Sequence, residues 1–327
     1  MKWAAIFIKV AGFSCALIFY LILLKSYGGD FGVVHAQAVW LSVAARSGIG
    51  FGLIQGSLQP KSFGFGDYLG RIFASLGAYF LYCCYSGDQP YLVLCLVPLF
   101  GLMSSFFYGM HLRSNLLGSV GTAFVPCALL FVVLLSFAAG SPRLGLSGVS
   151  LFFASGILLL LSLFLFVPGR SYFNELFYSL CPVAYVLAVD SVGMAGVEFF
   201  YFFKAGDIFS QFALFYASFG RREISLSRNS FFLWLGVCVT FSFCALYFDY
   251  LYFVGLLSAL IFVSFYLGSY ILVRRADSAH LPVSVLFSVS LLVSSVYPSS
   301  FGYLVIALCF GLFTVFRCAS PGQRNYL

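Results

Sequence analysis

Apolar runs of about 20 residues follow one another along nearly the whole chain, separated by only a few polar, Gly or Pro residues. A run of that length can cross a bilayer as a helix, and a helix satisfies its own backbone polar groups where no water can do so. The runs lie at 4–24, 32–55, 68–86, 91–110, 116–139, 147–167, 174–192, 195–217, 229–247, 250–272, 281–297 and 300–317. The expected fold is therefore an all-α polytopic membrane protein with about twelve transmembrane helices. Only 8% of the 327 residues are charged, against about a quarter in a soluble domain. So little charge cannot cover a water-facing surface, and lipid is the expected solvent.

Lys2 precedes the first run, which continues to Leu24 without a small-x-small cleavage site before Lys25. It is too long for the apolar core of a signal peptide and reads as a retained transmembrane helix. Ten Cys are present, most of them inside apolar runs, and none forms a C-x-x-C pair. Cys in that setting is a small buried apolar residue. Neither a disulfide framework nor a metal site is expected.

The Lys and Arg residues orient the spans. With the N-terminus in the cytoplasm, twelve of the 17 fall on the cytoplasmic side, Arg71, Arg113 and Arg170 among them. Lys25 and Arg143 fall outside, and Lys9, Arg46 and Lys204 fall within helices. So uneven a split supports an even number of spans and puts both termini in the cytoplasm. The same scatter argues against nucleic acid as a partner despite the net charge of +7, because the cations form no patch.

The two halves resemble each other. Gly29-Asp30-Phe31-Gly32-Val33 opens the second run and Gly193-Met194-Ala195-Gly196-Val197 opens the eighth, 164 residues later. With six runs on either side, this suggests parallel repeats about an axis along the membrane normal. The expected bundles are 1–168 and 169–327, joined at Pro168-Gly169-Arg170 and enclosing a central cavity.

Charge in hydrocarbon is costly, and by default it marks a functional site facing a wet cavity. Lys204 and Asp207, at i and i+3 in the eighth run, share a helix face. They form either a structural ion pair or part of a cavity that meets an anionic or proton-coupled substrate. Glu198 lies in the same run on another face, within reach of the headgroups, and Asp190 closes the seventh run. Arg46 lies midway along the second run with no carboxylate at i±3 or i±4. Its partner is then a residue elsewhere, Asp207 for example, or the phosphate of a substrate, which its planar fork suits. Lys9 is close enough to a helix end to snorkel. His35, His111 and His280 have no other ligand type nearby in the sequence, so metal binding is not expected.

P-loop, H-E-x-x-H and G-x-S-x-G motifs are absent. No hydrophilic loop exceeds about a dozen residues, which leaves no room for an extramembrane catalytic domain. The expectation is a protein that is not an enzyme and uses no cofactor.

The stretch Leu24-Lys25-Ser26-Tyr27-Gly28-Gly29-Asp30-Phe31-Gly32, followed by an apolar helix, resembles the first extracytoplasmic turn of polysaccharide flippases of the Wzx type. Arg46-Ser47-Gly48-Ile49-Gly50-Phe51-Gly52-Leu53 resembles the Gly-rich end of their second helix. The stretch from Leu180 through Asp190, Gly193 and Gly196 to Lys204-Ala205-Gly206-Asp207 resembles their helices seven and eight. The family belongs to the multidrug/oligosaccharidyl-lipid/polysaccharide superfamily, whose members have two six-helix bundles around a cavity. The resemblance implies flipping of undecaprenyl-diphosphate-linked oligosaccharide across the bacterial inner membrane. Arg46, Lys204 and Lys9 would then meet diphosphate or acidic sugar, with Asp207 as partner, and contact with polysaccharide polymerase machinery is a further expectation. Family members are usually longer than this chain. A membrane-embedded polymerase or glycosyltransferase, and a small-molecule antiporter of the same superfamily, remain the alternatives. The first generally carries a larger outer loop than any here, and the second favours acidic cavity residues.

Overall fold

Tyr20 meets both Phe31 and His35, with ring centroids 5.1 and 5.2 Å apart. Along a straight helix, residues 20 and 35 would be about 22 Å apart, so the chain has turned back between them. In this computed structural model the turn is made at Gly28, whose φ of 45° and ψ of −120° interrupt the helix α1, Lys2–Arg46. A positive φ of this kind suits a residue without Cβ. The first two runs are thus two limbs of a helical hairpin.

The structure describes residues 2–55, 64–140 and 143–168, together with isolated positions between 172 and 313. Among the described residues the chain is helix and connecting loop, with a lone bridge between Tyr91 and Arg143 and no strand. After α1 come α2 (Ile49–Gln55), α3 (Phe65–Ser86), a 3₁₀ turn (Leu92–Leu96) leading into α4 (Val97–Leu112), α5 (Leu116–Ala138) and α6 (Gly148–Leu165). Among the described residues four stretches are long and apolar enough to cross a membrane: Trp3–Gly28, Leu92–Leu112, Leu116–Ala138 and Gly148–Leu165. Large apolar side chains stand exposed on them, such as Phe153, Leu163 and Phe164 on α6, as lipid-facing positions require.

The chain divides into two compact units, Met1–Ser179 and Leu180–Leu327. All the helices named above belong to the first, which also takes in Pro168, Gly169 and Arg170. Apart from isolated positions, the expected helices from 174 onward lie outside the described residues, as do the second bundle, the 193–197 repeat and the central cavity.

Side-chain pairings give the direction of each segment. On the first limb of α1 and on α5, Lys9 meets Thr122, Gly12 meets Ala123, Phe19 meets Phe131 and Tyr27 meets Phe137. The numbers rise together, so the two run parallel. On α3 and α6, Gly70 meets Phe166, Gly77 meets Leu159 and Cys84 meets Gly148, so those two are antiparallel. The second limb of α1 is antiparallel to α3, because Gln37 pairs with Tyr79 and Ala45 with Arg71. Consecutive helical segments therefore alternate in direction. Arg46, Arg71 and Arg113 share one end of the unit, and Lys25 and Arg143 share the other.

Small residues let the helices approach closely, the usual way to pack helices without a hydrophobic driving force. A Cβ on Gly12 would stand 2.6 Å from the carbonyl oxygen of Ala123. At the arginine end, Ala45, Ile49, Leu53, Leu102 and Leu112 form a buried cluster, with Tyr68, Ile72 and Tyr108 packed against it.

Candidate functional site

The second apolar run is not one helix. It stops after Arg46, turns at Gly48 with φ of 82°, and restarts at Ile49. Arg46 is consequently the last residue of α1, not a mid-helix residue as the unbroken run predicts. From Gly29 to Arg46 the limb rises about 27 Å, against a hydrocarbon thickness of about 30 Å. A helix that stops here leaves the carbonyls of its last turn without the amides that would follow.

Those carbonyls are met by side chains from other elements. Arg71 on α3 donates through Nη1 to the carbonyl oxygen of Ser47 at 2.6 Å and to that of Ala45 at 3.4 Å. Its Nε donates to Asp67 Oδ2, one turn earlier, at 2.9 Å. Phe166 lies against the guanidinium with its ring centroid 4.3 Å away, and Tyr172 at 5.7 Å. The Tyr172 hydroxyl donates to the carbonyl oxygen of Ala44 at 3.1 Å. Burial raises the Tyr172 phenol above its ordinary value, against the opposing pull of the Arg71 charge, so at neutral pH it carries the proton it donates. Glu175 is also buried, and a Cβ on Gly50 would overlap its carboxylate oxygen. Arg71 is only 5% exposed, a low value for a cation, and its carboxylate, two carbonyls and two rings offset the loss of water.

Lys9 is buried as well, at 8% exposed, and does not snorkel. Its Nζ donates to the carbonyl oxygen of Thr122 at 3.2 Å and stands 4.5 Å from the centre of the Phe13 ring. Thr122 is four residues before Pro126, which lies inside α5. Proline has no N–H, so it cannot make the helical bond to that carbonyl. Lys9 supplies the missing donor from α1. The placement is that of a packing residue between two helices.

Arg46 differs from both. It is half-buried beside the break, and among the described residues its side chain makes no hydrogen bond or ion pair. Lys204, Asp207, Glu198 and Asp190 lie outside the described residues. His111, expected in a loop, is in the last turn of α4 and fully buried, its Nδ1 3.0 Å from Ser119 Oγ. Among the described residues no group of His, Cys, Asp and Glu could hold a metal.

Sequence reasoning passed over Arg71 and Tyr172 and did not connect Lys9 with Pro126. The signal for the last was present, because a proline inside an apolar helix strands a carbonyl and a lysine in a neighbouring apolar run can serve it. For Arg71 the only signal was its pairing with Asp67 at i−4, which is common on helix surfaces.

At the opposite end, Arg143 donates to the hydroxyl of Tyr91 at 2.9 Å, and the backbone N–H of Tyr91 donates to the hydroxyl of Tyr79 at 3.1 Å. Tyr79 donates in turn to Gln37 at 3.3 Å. These bonds tie the loops at that end to α1 and α3. No family model, curated protein or solved structure matches the chain.

Proposed function

We propose that this chain is a flippase that moves undecaprenyl-diphosphate-linked oligosaccharide across the bacterial inner membrane by alternating access, with both termini in the cytoplasm. The reading is supported by one observation above others. Arg71, beside the broken helix, and Lys9, between α1 and α5, are committed to backbone carbonyls, while Arg46 is half-buried without a bonding partner among the described residues. A cation kept available beside the break suits a diphosphate that must leave the headgroup layer. A discontinuous transmembrane helix is also a recurrent feature of transporter binding sites. Lys204 and Asp207, with Glu198 and Asp190, are assigned to the same pathway by sequence. The resemblance to Wzx-type flippases supplies the substrate class, and Lys9 is given a packing role.

The test uses purified full-length protein in vesicles of bacterial phospholipid. The probe is a prenyl-diphosphate disaccharide carrying a fluorophore that an added membrane-impermeant reductant bleaches. Faster loss of the protected inner-leaflet signal than in empty vesicles is expected, with no comparable gain for a labelled phosphatidylcholine. Equal rates with and without folded protein, or equal acceleration of both lipids, would overturn the assignment.

A further inference from the structure

The first limb of α1 lies along α5, and the contacts between them fix a register. Lys9 meets Thr122, Gly12 meets Ala123 and Phe19 meets Phe131. That register sets Cys127 of α5 against Cys15 of α1. The Cys127 Sγ donates to the carbonyl oxygen of Gly12 at 2.9 Å, and its thiol is in hydrogen-bonding contact with that of Cys15. Both are free thiols. The two backbones come together here because Gly12 has no Cβ to hold Ala123 off. A disulfide requires Cα atoms within about 7 Å and Cβ atoms turned toward each other. Thiols already in contact across two closely packed backbones meet that requirement. Read singly, each cysteine is a small residue filling a helix seam; together they are a dithiol.

We propose that Cys15 and Cys127 are a redox pair, closed to a reversible disulfide by a lipid-soluble oxidant of the quinone class. Cys15 is near the middle of the apolar stretch Trp3–Gly28, and Cys127 near the middle of Leu116–Ala138. An oxidant carried in water has no route to that depth, whereas a quinone dissolves in lipid. Cys15 is the point of entry. Among the described residues it is half-buried, with Ser14 and Ile18 exposed beside it, while Cys127 is buried. In the reaction both S–H bonds break and one S–S bond forms. The dithiol gives up two electrons and two protons, and the quinone takes them at its two oxygens to become the hydroquinone. Closure removes the proton that Cys127 donates to Gly12. It also pins α1 to α5 next to Pro126, where α5 lacks a helical bond. The pair does not depend on the transport reading.

The full chain in phospholipid nanodiscs tests this, with tetramethyl-benzoquinone as the oxidant, because its ring offers no open position for a thiol to add to. The remaining thiols are then blocked with N-ethylmaleimide, and disulfide-linked peptides are identified by mass spectrometry. The expected product joins Cys15 to Cys127 in most molecules, and maleimide labelling of Cys15 falls in step with it. A membrane-permeant dithiol removes the link and restores the labelling. Oxidised glutathione, supplied in the water, forms the link far more slowly than the quinone. No linkage, or linkage of Cys15 to a different cysteine, overturns the pairing. Linkage by glutathione as fast as by quinone overturns the lipid-side route. The assignment is read on the wild-type chain, so it does not hang on a variant that fails to fold.

Discussion

The ammonium of Lys9 lies 3.2 Å from the carbonyl oxygen of Thr122, the one oxygen in α5 that Pro126 deprives of its helical donor. A buried cation and a helix-breaking residue on different helices thus answer each other. Lys9→Met keeps the stem and removes the donor. It leaves a buried carbonyl unsatisfied, a cost of about 1–3 kcal/mol. Pro126→Ala restores the amide in place, so the double variant Lys9→Met/Pro126→Ala is expected to be more stable than Lys9→Met alone. Thermal unfolding in detergent of all four proteins measures the coupling, and additive effects would refute it.

Gly28 folds the first two spans into a hairpin. Among the described residues nothing lies within 4 Å of a Cβ built there, yet its φ is +45°. Gly28→Ala is therefore expected to cost about 1–3 kcal/mol by backbone strain alone. Gly156 in α6 also has no neighbour within 4 Å of a built Cβ among the described residues but lacks a positive φ, and Gly156→Ala is expected to be neutral or slightly stabilising. Melting temperatures of the two variants distinguish strain from crowding.

Gly12 tests crowding itself. Its Cα faces the backbone of Ala123 so closely that a Cβ would stand 2.6 Å from a carbonyl oxygen. Gly12→Ala must push α1 away from α5, at a cost of about 1–3 kcal/mol. The shift also loosens Lys9 from Thr122, so Gly12→Ala and Lys9→Met are expected to be less than additive. Unfolding midpoints of the single and double variants check this.

What the sequence made legible follows from the range of the forces involved. The helices of the first unit were readable from apolar runs, because the need of lipid-embedded backbone for helix acts on each run by itself, and among the described residues four stretches are long and apolar enough to cross a membrane. The hairpin at Tyr27-Gly28-Gly29 was readable because glycines punctuate the run there. The break after Arg46 was not. Ser47 and Gly48 lie in a stretch with Gly50 and Gly52, and nothing local says which glycine takes a positive φ. Its stability comes from Arg71, 24 residues from Ser47, and from Tyr172, 128 residues from Ala44, and periodicity carries no information at that range. Arg71 looked like one more loop cation for the same reason. Of the candidate site residues, sequence singled out Arg46 by what it lacks nearby, no carboxylate within a turn, and the structure leaves it without a partner among the described residues.

That contrast between neighbouring arginines makes a further prediction. Arg71→Ala removes the donor to two buried carbonyls and the partner of Asp67, and is expected to lower stability by about 3–5 kcal/mol. Arg46→Ala breaks no bond among the described residues and is expected to leave the melting temperature within about 1 °C of wild type, as for substitutions away from such features. Thermal unfolding of both variants under one condition measures the difference.

The most direct test of the account is the rate at which labelled prenyl-diphosphate disaccharide crosses vesicles containing Arg46→Ala, set beside wild type and Arg46→Lys at matched protein content. Loss of crossing in Arg46→Ala with unfolding unchanged, and partial recovery in Arg46→Lys, is the result expected if this cation receives the diphosphate. Wild-type rates in a fully folded Arg46→Ala protein would contradict it.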